Sequence, residues 1–304
     1  MVTLHGPTTL GSRRHLGPIA LGALFVAGLF AGPAAADIYW ATEFSRGKPS
    51  LIGCARSNGS HVNPTFISGT GLDVTSLSAD GRYVYWGDRA TNSIGRGKTN
   101  GRGVKRKLIR NAGFDRATYN GLANDGQYLY WAARIDRAYT IARASIDGTG
   151  VNTAFMPVEA RSLAVGGGRL VWTDFAWVFS ANGDGTGVQV VYDDVPTQVA
   201  YIADVATDGA RAFWTYSTFS PGFDPFKISA AFPDGTGLVE AFVANVGAYD
   251  LAADGKYLYW ADGENAIGRV RLDGSGLDRR FIRTKEPPYA VAVGAGRRCP
   301  SERD

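Results

Sequence analysis

The chain has 304 residues, 45% of them hydrophobic, with 32 Lys and Arg against 28 Asp and Glu. So even a balance excludes a protein that finds its partner by bulk charge, so neither nucleic acid nor membrane insertion is expected. Two cysteines exclude a disulfide-dense scaffold, and of three histidines only His61 lies beyond residue 36, which leaves no multi-histidine metal site in the remainder.

The first element is an export signal over residues 1–36. Arg13 and Arg14 supply a positive start, Leu16 to Ala31 is apolar, and Ala34-Ala35-Ala36 fits a cleavage site before Asp37. The apolar run is shorter than the roughly 20 residues that cross a bilayer. Export by the Sec route is expected, with Ser12-Arg13-Arg14-His15-Leu16 hinting at a twin-arginine signal as the alternative. A secreted, monomeric domain over residues 37–304 is therefore expected, and cleavage would leave His61 as its one histidine.

Six tryptophans then recur at Trp40, Trp86, Trp131, Trp172, Trp214 and Trp260. A period of 41 to 46 residues is that of a β-propeller, one four-stranded blade per repeat. The blades read as 37–68 with 287–299, then 73–110, 119–156, 161–192, 202–243 and 249–282. The last shows the order best. Asp250 to Ala253 is an inner strand and Asp254-Gly255 a turn. Lys256 to Trp260 alternates at period 2, Ile267 to Arg271 is the third strand, and Asp273-Gly274 turns into an outer strand. Aspartate– or asparagine–glycine tolerates the positive φ angles of such hairpins, and these pairs recur in the other repeats. Ala290 to Val293 reads as an inner strand with no blade of its own. Ile38-Tyr39-Trp40 lacks one, so the two chain ends complete the first blade and close the ring. Aligned this way, Cys54 and Cys299 fall on adjacent strands, and a disulfide between them is expected.

Tyr85-Trp86-Gly87-Asp88, Val171-Trp172-Thr173-Asp174 and Tyr259-Trp260-Ala261-Asp262 resemble the YWTD motif of LDL-receptor class B repeats. The Ile-Gly-Arg strand followed by an Asp-Gly-Thr/Ser-Gly turn is similar to secreted bacterial, TolB-like repeat proteins. The resemblance implies an all-β, six-bladed propeller and says little about activity. It also implies an aspartate brace, which Trp40-Ala41-Thr42, Trp131-Ala132-Ala133 and Trp214-Thr215-Tyr216 lack.

Candidates for function are few. His61 lies in an outer turn, which argues against the channel-histidine chemistry of some propeller lyases. Gly97-Lys98-Thr99 lacks the earlier glycine of a phosphate loop. The basic run from Arg96 to Arg110 belongs to exposed outer strands, where charge deters edge pairing. Asp204 and Asp250 begin adjacent inner strands, with Asp73 near the equivalent place in the second blade. That pair could share a proton, act as acid and base, or hold a divalent cation; no other cofactor is expected. Arg134, Tyr139, Phe175, Trp177, Tyr216, Phe219, Phe223 and Phe226 put aromatics and arginine on one loop-rich face, the composition of a binding surface. The leading expectation is a module that binds a protein or glycan through that face. The alternative is a channel hydrolase or lyase using Asp204 and Asp250.

Overall fold

The computed structural model describes residues 36–42, 48–68, 73–115, 121–193, 200–218, 226–296 and 299–301. The chain divides into Met1–Gly32 and Pro33–Asp304, and the second unit carries every described residue. The expected export signal, up to residue 35, lies outside them. Among the described residues no helix is long and apolar enough to cross a membrane.

Six antiparallel sheets form the domain. The sixth is Asp250–Ala253, Tyr257–Ala261, Ala266–Arg271 and Asp278–Arg283, in that order from the inside. The other inner strands are Val74–Ala79, Leu122–Asn124, Ser162–Gly166 and Val205–Thr207, each in contact with the next around the ring. In the first blade the inner strand is Pro288–Ala295. It pairs antiparallel with Ala36–Thr42 and also contacts the inner strands of the second and sixth blades. The ring is a closed six-bladed β-propeller, as the repeat predicts.

The repeat motif is a packing rule. All six repeat tryptophans are buried. In three blades the residue opposite the tryptophan is the glycine of the third strand: Trp40 faces Gly53, Trp86 faces Gly95 and Trp260 faces Gly268. A Cβ at those glycines would lie 2.4, 2.2 and 2.1 Å from the indole. The ring therefore occupies the space a side chain would take. The tyrosine before the tryptophan donates its hydroxyl to the turn aspartate five residues back, in Tyr85–Asp80 (3.2 Å), Tyr130–Asp125 (2.9 Å) and Tyr259–Asp254 (3.1 Å). Burial and that carboxylate raise all three phenols, Tyr130 to about 12. The YWTD aspartates brace the next loop. Asp88 accepts from the Asp73 and Ala90 amides, and Asp262 from those of Glu264 and Ala266. Where the aspartate is missing, Thr42 accepts from the Leu51 amide and Thr215 from those of Ala203 and Asp204.

Side chains also tie blade to blade. Arg96 lies over Tyr83 and donates to the Ile146 carbonyl; Arg269 lies over Phe281 and donates to that of Ser57. Ser180 and Arg211 reach Pro233 and Leu272 in the same way. Each target carbonyl immediately precedes the outer Asp-Gly or Asn-Gly turn of the next blade. In the first blade this arginine position is held by Cys54, opposite Tyr39. Cys54 is joined to Cys299 by a disulfide across 245 residues, and the Cys299 amide donates to Asp37 (3.0 Å).

Gly95→Ala is expected to lower stability by about 1–3 kcal/mol through overpacking. Gly255→Ala, with nothing within 4 Å of its Cβ, is expected to leave the thermal midpoint unchanged. Calorimetry on the two variants checks this. Cys299→Ser is expected to cost up to about 5 kcal/mol, because the bond closes so long a loop. Denaturant unfolding measures that loss, and non-reducing peptide mapping should recover the linked peptides.

Candidate functional site at the channel mouth

One inner-strand position recurs just before the residue that faces the tryptophan. It is Ala290, Ser76, Gly121, Ser162, Asp204 and Asp250 around the ring. In three successive blades its side chain laces the ring together. Ser162 Oγ accepts from the Val205 amide (3.3 Å) and donates to Asp204 Oδ1. Asp204 Oδ2 accepts from the Leu251 amide (2.6 Å), and Asp250 Oδ2 from the Val291 amide (2.5 Å). Each link crosses one blade boundary, and the last reaches the closing strand.

The two carboxyl groups also couple, each acting on the other's titration. Two buried carboxyl groups so placed hold one proton between them more readily than they lose both. Burial raises Asp204 to about 6. Burial, then the Asp204 charge, hold Asp250 well above the carboxylate range. The pair therefore titrates as a unit: once its first proton is lost it carries one negative charge, and the second is held above the ordinary carboxylate range. Asp73 is not part of this level, which Ser76 occupies in the second blade. Asp73 stands three residues earlier and pairs with Arg89 at 2.8 Å.

The pair borders a cavity of about 250 Å³ on the ring axis, lined by inner strands of all six blades. Phe226, Tyr249 and Tyr289 complete the lining at the end where those strands begin. Tyr249 and Tyr289 directly precede the ring positions Asp250 and Ala290. Their rings lie 5.8 Å apart, and Phe226 lies 6.1 Å from Tyr249. Tyr249 is 46% exposed and Tyr289 37%. Tyr249 packs over Gly263, where a Cβ would come within 2.2 Å of its ring. The Phe226 carbonyl accepts from the Val246 amide (3.0 Å). The aromatics are thus held in place by glycine and backbone.

Of the loop-face residues expected from sequence, the structure brings Phe226 to this cavity together with Asp204 and Asp250. Arg134 pairs with Asp115 (3.2 Å) and lies over Tyr139. Phe175 lies against Arg161, and Tyr216 meets Tyr192 edge-on. Trp177, 37% exposed, stacks on Phe179, which stacks on Trp172. These contacts tie each side chain to its own or an adjoining blade rather than to the channel. Phe219 and Phe223 lie outside the described residues. Tyr249, Tyr289 and Ser162 were missed. The signal that would have found them is their place at or beside the position of Asp204 and Asp250 in the aligned repeats.

No protein-family model matches the chain, and no curated protein matches it. Solved structures do. A chain of the nidogen/laminin complex is 19% identical with a TM-score of 0.58, over 85% of this chain and 98% of that one. TolB from Acinetobacter baumannii is 10% identical at 0.59, over 85% and 66%. A gluconolactonase from Xanthomonas campestris is 16% identical at 0.53, over 85% and 88%. At these identities the likeness establishes the propeller fold alone.

A carboxyl whose folded pKa is raised contributes stability that is complete below its unfolded value, near 3.8, and is lost as pH rises through the folded value. Asp250→Asn keeps a donor toward Asp204 and an acceptor for Val291 without titrating. Its thermal midpoint relative to the parent is therefore expected to rise by a few degrees between pH 4 and pH 7. A difference that stays constant with pH contradicts the shared proton.

Proposed function

We propose that the chain is an extracellular or periplasmic binding propeller that engages a protein or glycan over the channel mouth. The observation that carries this reading is the pair Tyr249 and Tyr289. They are partly exposed and fixed above a cavity, whereas every repeat tryptophan is fully buried. Aromatics held rigidly at a concave rim lose little entropy on contact and bury large area, the character of binding hot spots. The export-like segment 1–36 supports the location. The likeness to a chain of a complex, nidogen/laminin, supports recognition through this fold.

A second reading, a channel hydrolase, is favoured by the unequal protonation of Asp204 and Asp250, which is how one site provides an acid and a base. Against it, Ser162 and two backbone amides already engage both carboxyl groups.

Glycan arrays and pull-downs from envelope and culture-medium proteins test the binding reading. Tyr249→Ala/Tyr289→Ala is expected to weaken the captured ligand at least tenfold with little change in thermal midpoint. Replacing Thr215–Lys227 by a short turn is expected to weaken it as well, through Phe226. Ligand binding unchanged in both variants overturns this reading. Lactone or ester hydrolysis abolished by Asp250→Asn supports the second.

A further inference from the structure

We propose that the ligand group entering the channel mouth is a primary ammonium on an alkyl stem, as a lysine side chain or a chain's amino terminus presents. This rests on the binding reading above and adds the chemistry of what is bound.

The first argument is charge. Among the described residues lining the cavity, Asp204 and Asp250 are the only acidic ones, and no Lys, Arg or His joins them. The pair sits among inner-strand alanine, valine and leucine interspersed with serine, threonine and asparagine, none of them charged. A negative charge in such surroundings is costly unless a cation meets it. The second is the rim. Aromatic faces attract an alkylammonium as it passes, more strongly the further it is desolvated. The third is an unspent acceptor. Ser76 lines the same cavity at the level of the pair, on the blade opposite Asp204 by blade order. It is 6% exposed, and its Oγ has no hydrogen-bond partner among the described residues. An ammonium has three N–H donors, enough to engage the carboxylate pair and a hydroxyl together.

Size and donor set narrow the class. About 250 Å³ is below the roughly 300–1,000 Å³ of a site that swallows a whole small molecule, and it suits one extended side chain. A divalent cation fits less well. It asks for six or more oxygens, and among the described residues no three His, Cys, Asp or Glu side chains gather. The alanine, valine and leucine beside the pair suit the methylene stem.

The test is titration calorimetry with Nα-acetyl-lysine amide, its uncharged near-isostere Nα-acetyl-norleucine amide, lysyl-free glycine amide as an amino-terminus probe, and calcium chloride. Lysine amide or glycine amide is expected to bind at least tenfold tighter than norleucine amide, and the tighter of the two names the source of the ammonium. A single Asp→Asn change leaves a carboxyl that ionises once its neighbour's charge is gone. Asp204→Asn/Asp250→Asn is therefore the informative variant, with at least a tenfold loss expected. Should that variant fail to fold, Tyr249→Ala leaves the hydrogen-bond chain intact and is expected to weaken the amine several-fold. In the parent, amine binding is expected to fall as pH drops through about 6, since Asp204, Asp250, Tyr249 and Tyr289 are the titratable side chains among the described residues lining the cavity. Norleucine amide binding as tightly, full binding to the folded double variant, or calcium binding in preference overturns the ammonium assignment. If the tyrosine variant still loses the captured ligand while no amine binds, the ammonium assignment fails and the mouth remains the site. If the tyrosine variant loses nothing, the binding reading itself fails.

Discussion

The ladder between Ala36–Thr42 and Pro288–Ala295 is the interaction on which everything else rests. It joins two segments separated by nearly the whole domain, so its loop-closure entropy is borne by the entire chain. Without it the first blade lacks an inner strand, two blade edges stand open, and the axis is not enclosed. The candidate site depends on it directly. Val291, whose amide binds Asp250, lies on the closing strand, and so does Tyr289. The disulfide between Cys54 and Cys299 stands at the same seam, where other blades use an arginine to hold their neighbour. A covalent bond there secures the one junction that chain continuity does not.

The inner ring shows how stability and function draw on the same groups. Ser162, Asp204 and Asp250 lace three blade boundaries by accepting amides that would otherwise be bare strand edges facing the axis. The same burial that makes those bonds strong makes two carboxylates costly, and the pair answers by keeping a proton. The remaining single charge faces a cavity with no cationic side chain among its described lining residues. Structure alone accounts for the amide bonds. It does not account for the uncompensated charge or for the unspent Ser76 hydroxyl, and these give the channel its proposed specificity.

Much of the fold was legible because each repeat states the same local rule several times. The buried Tyr-Trp strand, the Asp-Gly turn that receives the tyrosine hydroxyl, and the glycine beneath the indole are short-range relations. They appear as fixed spacings in the sequence. The aromatic rim was not legible in the same way. Arg134, Tyr139, Phe175 and Trp177 look like a binding face because composition counts them together. In three dimensions each packs against partners in its own or an adjoining blade. Tyr249 and Tyr289 belong to no motif in the sequence, and only the closed ring sets them 5.8 Å apart.

From the sequence alone came the blade number, the order of strands within a blade, and the completion of the first blade from both ends. All follow from periodicity, which survives without coordinates. Asp204 and Asp250 could be read as neighbours on adjacent inner strands able to share a proton, act as acid and base or hold a cation, but choosing among these requires knowing how far each is buried and what else engages it. Tertiary structure alone decided that the pair, Ser76 and the two tyrosines border one cavity. The reason is that convergence on a ring axis joins residues from four blades that have no short-range relation in the chain.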